Sequence, residues 1–223
     1  MLSSRLPVFN ESINVSDKRV IVRVDFNVPA EDARITDEYR ILRTLPLLEQ
    51  LRGNGARLVL LSHLTEKKEH RSFRSLMEEF QRVCGFSIEF APTLLAARQS
   101  KAPTVLLENL RVFSGEEERD PQFAKELALL GDLFINEAFS QSHRPNASIV
   151  ELPTLLPSYA GSLFYEEVRK LEEVSSPEKP FLLILGGVKF ATKIGVLEHF
   201  VEVADSIFIG GALANTFLVA SGF

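Results

Sequence analysis

Short aliphatic runs rich in Val, Ile and Leu alternate along this chain with longer stretches in which apolar residues recur every three or four positions. A strand buried on both faces reads as a near-continuous aliphatic run, and a half-buried helix as a 3.6-residue stripe. The alternation therefore predicts βα units on a mostly parallel sheet. The first strand falls at about 19–25 (RVIVRVD). A helix follows with Asp37 as its N-cap and a face of Ile41, Leu42, Leu45, Leu48 and Leu51; Gly53 and Gly55 end it, and Pro46 should bend it. Next come a strand at 57–61, an amphipathic helix at 73–84 stopped by Gly85, a strand at 87–90 and a weak helix near 92–98. A strand at 104–107, a helix at 120–130 opened by Asp120 and Pro121, and a strand at 132–136 complete the first set.

Leu152, Pro153, Leu156 and Pro157 interrupt the pattern, and a charged helix at 158–174 leads to a polar joint at 175–180. A new series then starts: strand 181–185, helix 191–203, strand 206–209 and helix 212–220. The expected fold is α/β. A Rossmann-like three-layer domain over residues 1–157 is followed by a connecting helix and hinge at 158–180. Residues 181–223 begin a second α/β domain that is incomplete, because two βα units do not bury both faces of a sheet.

Composition narrows the class. The 223 residues are 45% apolar and 25% charged, ordinary for a globular chain. A net charge of -5 argues against a general nucleic-acid binder, which needs a broad basic face. Cys84 is the single cysteine, so no intrachain disulfide framework or thiolate metal cluster is available; a small buried hydrophobe in a reducing, cytoplasmic setting is its expected role. The N-terminus has no continuous apolar signal region, and the uncharged run at 207–223 is shorter than the ~20 residues a membrane span needs.

Against that acidic background a few cations are placed with care. In an open α/β sheet, ligands bind beyond the carboxyl ends of the strands. His63, Arg111 and Arg144 each follow a strand end, and Arg40 lies in the first turn of a helix, where the dipole disfavours a cation unless an anion sits nearby. Together they point to a phosphate or carboxylate pocket. Asp25 and Asn27, at the end of the first strand, either accept hydrogen bonds from a hydroxylated ligand or cap the turn. Arg111 follows Glu108-Asn109 and either meets a ligand or forms a buried ion pair. Gly186-Gly187 with Lys189 and Lys193, and Gly210-Gly211 after the next strand, either let backbone N–H groups approach an anion or simply make tight βα turns. Neither the Walker A order nor the dinucleotide glycine fingerprint is present, and no Ser/His/acid triad or metal-spaced histidine pair stands out. His70 and His199 read as surface or helix-face residues.

These segments resemble the phosphoglycerate kinase family. The matching strings are RVDFNVP (23–29), ITDEYRI (35–41), SHL (62–64), LLENLR with SGEE (106–117), FAKELA (123–128), LGDLFINEAF (130–139), SHR (142–144), LILGGVK (183–189) and IGGALANTFL (209–218), in the family's order. The resemblance implies reversible phosphoryl transfer between 1,3-bisphosphoglycerate with ADP and 3-phosphoglycerate with ATP, in glycolysis. Mg2+ would be carried by the nucleotide, with no protein metal site, nucleic acid or membrane partner, and the chain would be a monomer. It further implies that Asp25, Phe26, Asn27, Arg40, His63, Leu64, Thr65, Glu66, Arg111 and Arg144 bind the phosphoglycerate. Gly187, Lys189, Lys193, Gly210 and Gly211 would bind the nucleotide, and Arg40 and Lys189 would act in catalysis, after a hinge closes.

The chain departs from the family pattern in three places. After SHL the family continues Gly-Arg-Pro, whereas this chain has Thr65-Glu66-Lys67, replacing a cation beside the phosphate by an anion. Such a sign change ~4 Å away is worth several kcal/mol before screening, unless Lys67 or Lys68 compensates. The usual Ala-His-Arg-Ala-His appears as Ser142-His143-Arg144-Pro145-Asn146. The family's later nucleotide-site segments are not in these 223 residues, so the expectation is that this polypeptide alone is inactive or acts as a phosphoglycerate- or partner-binding fragment.

Overall fold

The computed structural model describes residues 3–65, 72–188 and 193–223. Its chain divides into two compact units, Met1–Val168 and Arg169–Phe223. The first unit runs β1 (Arg19–Arg23), a short β2–β3 hairpin (Ala30–Glu31 and Arg34–Ile35), α1 (Tyr39–Gly53), β4 (Arg57–Leu61), α2 (Met77–Cys84), β5 (Glu89–Ala91) and α3 (Leu94–Gln99). It continues with β6 (Thr104–Leu107), α4 (Ser114–Glu117), α5 (Pro121–Ala128), β7 (Leu133–Asn136), α6 (Leu152–Leu155), β8 (Ser158–Ala160) and α7 (Ser162–Ser175), inside which the unit boundary falls.

Six strands form one sheet in the order β5-β6-β4-β1-β7-β8, and every pairing is parallel. From β1 the chain moves to one side through β4, β5 and β6, then returns to the other side for β7 and β8. The strand order thus reverses between β1 and β7, the place where open α/β sheets leave a crevice. Period-2 alternation assigns the two faces. Val20, Val22 and Val24 pack with Leu58, Leu60, Ile135 and the α1 residues Ile41, Leu48 and Leu51. Ile21, Val59, Leu61, Val105 and Phe134 pack on the opposite face with Phe123, Ala124 and Leu127 of α5. Arg23 has the parity of Ile21, so the sheet carries a charge into its second core, where Arg23 is fully buried.

Several elements differ from the sequence expectation. α1 starts at Tyr39, and Asp37 accepts from the Tyr39 amide at 2.9 Å from one residue outside the cap. Its buried stripe is Ile41, Thr44, Leu47, Leu48 and Leu51, while Leu42 is 48% exposed; the helix runs on through Pro46, whose solvent-side position lets water reach the carbonyl it frees. The helix expected from residue 158 begins at Ser162, because Ser158–Ala160 extends beside β7 as β8. Gly161 makes the break: a Cβ there would lie 1.9 Å from Glu137 Oε2. The anticipated α5 opening is observed, with Asp120 accepting from the Gln122 amide at 2.9 Å and Pro121 in the first turn. Cys84 is buried as expected, and burial pushes its thiol up to about 12.

The second unit contains β9 (Leu182–Gly186), α8 (Ile194–Val201), β10 (Ser206–Gly210) and α9 (Ala212–Ala220). β9 and β10 pair in parallel with Ile184 opposite Phe208, and both side chains are more than half exposed. Asp205 ties the start of β9 by accepting from the Phe181 amide at 2.8 Å and from Lys179 at 3.0 Å. The expected start of α8 at Ala191 lies outside the described residues. Among the described residues no helix is long and apolar enough to cross a membrane.

Candidate functional site

The four central strands of the first unit end in polar side chains that other strand ends hold in place. Beyond β1, Asp25 accepts from Arg40 Nη1 at 2.8 Å and from Ser140 Oγ at 2.7 Å, which joins the ends of β1 and β7 to the first turn of α1. That carboxylate is the counter-charge that lets an arginine sit against the helix dipole. Asn27 accepts from the Thr65 amide at 2.8 Å, fastening the turn after β1 to the turn after β4. Between them Phe26 points inward: its ring is fully buried, stacked on Phe80 with centroids 5.2 Å apart, and its amide donates to Ser62 Oγ at 2.9 Å.

Leu64 is also buried, with its amide and carbonyl both bound to the Asn109 side chain at 3.0 Å. The hydroxyl of Thr65 accepts from Arg111. Glu108 does not pair with Arg111; it accepts from the amides of Phe73 and Asn109 at 2.9 and 2.8 Å. Arg111 meets Glu117 instead, at 3.5 Å, and its buried Nε has no hydrogen-bond partner among the described residues. Arg144 is exposed beyond β7.

His63 is 2% exposed, and burial together with the nearby Arg23, Arg111 and Arg144 pushes it down to about 3. It is therefore neutral across the physiological range. Burial, and after it Arg144, also lowers the proton affinity of Arg111, so Arg111 and Arg144 lie in one positive field with His63. A cavity of about 270 Å³ opens at the switch point, lined by Asp25, Arg40, Thr44, Phe139 and Ser140 among others. His63, Arg111 and Arg144 lie outside that wall.

Three polar residues beneath this rim escaped the sequence reading. Arg23 Nε donates to Ser148 Oγ at 3.2 Å, and Ser148 in turn donates to Glu116 Oε1 at 2.6 Å. Glu116, fully buried, also accepts from the Ser148 amide at 2.9 Å. The available signal was a lone arginine inside the aliphatic run RVIVRV, since a charge in a strand buried on both faces needs a buried partner. Glu137, after β7, was missed too. It accepts from Ser162 Oγ at 3.0 Å and the Leu163 amide at 3.1 Å, and burial raises its proton affinity despite those donors at the α7 N-terminus.

In the second unit the two glycine turns lie side by side. Gly186 pairs with Gly210, and the Leu213 amide donates to the Gly187 carbonyl at 2.9 Å. Gly187 and Gly211 have φ of 142° and 61°, conformations that favour glycine. Lys193 precedes α8, its Cε 3.5 Å from where a Gly187 Cβ would stand. Glu66 and Lys189 lie outside the described residues. No group of three or more His, Cys, Asp or Glu that could hold a metal ion occurs among the described residues.

A family model for phosphoglycerate kinase matches residues 10–223. The phosphoglycerate kinase of Orientia tsutsugamushi (strain Boryong) is 41% identical over 221 residues, 94% of this chain and 55% of that protein. That of Mesorhizobium japonicum is 40% identical over 221 residues, again 94% of this chain and 56% of the relative. The solved phosphoglycerate kinase of Coxiella burnetii superposes with a TM-score of 0.85 at 32% identity, over 97% of this chain and 58% of that one. The chain thus spans a little over half the length of the relatives it matches. The aligned strand ends, the paired glycine turns and the match across almost the whole chain place this protein in the phosphoglycerate kinase family.

Proposed function

We propose that the first unit binds 3-phosphoglycerate or 1,3-bisphosphoglycerate and that residues 181–223 begin a site for ATP or ADP. The reaction served is reversible phosphoryl transfer between 1,3-bisphosphoglycerate with ADP and 3-phosphoglycerate with ATP, a step of glycolysis. The observation that carries this reading is the cation excess on one rim. Among the described residues Arg111 has only a loose counter-charge at 3.5 Å and Arg144 makes no ion pair, while the nearby His63 offers a neutral ring. An anion bearing both a phosphate and a carboxylate would satisfy such a rim by charge-assisted hydrogen bonds.

In this reading Asp25 and Asn27 orient the hydroxylated end of the ligand, and Arg40 stays by the reacting carboxyl through its pair with Asp25. Phe26 and Leu64, being buried, contribute through the backbone that carries them. Glu66 follows Thr65 in sequence and brings an anion where the family pattern has a cation. The transferring phosphoryl group carries its charge on equatorial oxygens, so positioning and cationic stabilisation by Arg40 and Lys189 do most of the chemical work. Gly187, Gly210, Gly211 and Lys193 would receive the nucleotide phosphates. Magnesium would enter with the nucleotide and supply charge neutralisation there. The single buried thiol and the acidic balance fit a cytoplasmic protein, acting as a monomer without nucleic-acid or membrane partners.

The test is a calorimetric titration of the chain with 3-phosphoglycerate and with 2-phosphoglycerate as control. Selective binding of the 3-isomer is expected, weakened by Arg111→Met and Arg144→Met. Equal binding of the two isomers, or an absence of binding that Glu66→Arg does not restore, overturns the reading; recovery in Glu66→Arg traces the loss to that one charge.

A further inference from the structure

Arg23 sits at the last position of β1 with no exposed surface. Its Nη2 lies 3.4 Å from Nδ1 of His63. A guanidinium has five N–H donors and no acceptor, so the facing ring nitrogen must accept and be bare. The imidazole proton is then on Nε2. Protonating Nδ1 as well would set two donors face to face in a place where both residues are almost fully buried.

We propose that Arg23 is a positioning residue for the anion site: it holds His63 as the neutral Nε2–H tautomer, leaving Nε2 as a hydrogen-bond donor, and Glu116 holds Arg23 through the Ser148 hydroxyl. The choice of ligand rests on the phosphoglycerate reading above; the state of the ring does not. The anchoring is complete on the arginine's other sides, since Nη1 donates to the Val24 carbonyl at 2.8 Å and Nε to Ser148 at 3.2 Å. Glu116 supplies the compensating charge from α4, two hydrogen bonds away, and accepts from Ser148 through both backbone and side chain. A buried charge pair bridged by a hydroxyl fixes the guanidinium plane more tightly than a solvated arginine could be fixed.

The charged groups that face His63 favour the same state. Arg23 from β1, Arg111 beyond β6 and Arg144 beyond β7 oppose a proton on the ring, and among the described residues Asp25 beyond β1 alone favours one. A neutral donor suits an anionic ligand in this setting. It adds a hydrogen bond without adding a charge to a rim that already carries Arg40, Arg111 and Arg144, and its strength does not change with pH across the physiological range.

Ring-nitrogen NMR of the ¹⁵N-labelled full chain tests this, with the His63 signals identified by their loss in His63→Gln. The expected result is one protonated Nε2 and one bare Nδ1, unchanged between about pH 5 and 8. A proton on Nδ1, or a ring that titrates in that window, overturns the proposal. The paired change Arg23→Gln with Glu116→Gln removes both buried charges at once and replaces the donor-only guanidinium by an amide that can accept. It should release His63 into both tautomers and lower 3-phosphoglycerate affinity about tenfold. A ring still locked in the Nε2–H form in that variant would overturn the role of Arg23. Should the variant fail to fold, the wild-type spectrum decides alone. A locked ring in a chain that takes up no 3-phosphoglycerate upholds Arg23 and counts against the ligand.

Discussion

The strand ends of the first unit present side chains, and those of the second present bare backbone. Beyond β1, β4, β6 and β7 stand Asp25, His63, Arg111 and Arg144, and Asp25 and Arg111 are each tied to a neighbouring strand end by a hydrogen bond. Beyond β9 and β10 stand glycines, two of them at positive φ. The two solutions have different costs. A side-chain site needs a second layer to orient its charges and to neutralise those it buries, which is what Glu116, Ser148, Ser62 and Asn109 do here. A backbone site needs only a turn that glycine alone adopts readily. In the proposed reading the first solution distinguishes chemical detail in a ligand. In that reading the second offers N–H donors, which suit nucleotide phosphates.

If the layer beneath the rim is what distinguishes the first unit, removing it should cost far more than removing a surface contact. Glu116→Ala leaves Arg23 buried without its compensating charge and is expected to destabilise by about 3–5 kcal/mol. Glu166→Ala breaks the Arg43–Glu166 pair, whose side chains are 42% and 49% exposed, and should cost under ~1 kcal/mol. Urea unfolding of the two variants makes the comparison. Similar losses would mean that the buried network is not holding the rim.

A second break comes from acid. His63 has an ordinary value of 6.5 in the unfolded chain and is pushed down to about 3 in the fold. Between those values the unfolded chain binds a proton that the fold refuses. The stability this group contributes is therefore complete above pH 6.5 and drains away as pH falls toward 3. By pH 4 the loss should reach roughly 3 kcal/mol. His63→Gln, which can still accept from Arg23, should flatten that limb of a stability-versus-pH curve measured by urea midpoint. An unchanged limb would show that His63 is not the proton-refusing group.

How much of this could be read from residues alone follows the same division. β1, β4, β6 and β7 were evident because strands buried on both faces are aliphatic runs. β8 was not: three residues, Ser158–Ala160, carry too little period to be told from the helix that follows them. The β2–β3 hairpin is shorter still, two residues a side. Asp25 and Arg40 could be picked out because charges stood where a strand and a helix turn toward the same rim, though their pairing with each other could not. Arg23, Ser148 and Glu116 come from β1, a short π-helical segment (Ala147–Glu151) over a hundred residues later and α4, and only the packed sheet brings them together. The glycine turns were visible because the residue type itself reports the backbone conformation.

The smallest test addresses that last point. Gly211 has φ 61° and ψ -156°, a combination that residues with a Cβ rarely adopt. A Cβ built on it would find its nearest neighbours at 3.9 and 4.0 Å, in ordinary contact, so crowding contributes little. Gly210 lacks the positive φ, although its Cβ would approach the Phe208 ring at 3.3 Å. Gly211→Ala should therefore destabilise the second unit by about 1–3 kcal/mol through backbone strain, while Gly210→Ala asks the Phe208 ring to give by a few tenths of an ångström. Hydrogen exchange of the amides in β10 and α9 would locate the difference, with faster exchange confined to the second unit in Gly211→Ala. Equal protection in the two variants would mean that the turn after β10 relaxes to an ordinary conformation, and the backbone would then lose its claim to be the pre-shaped half of the comparison.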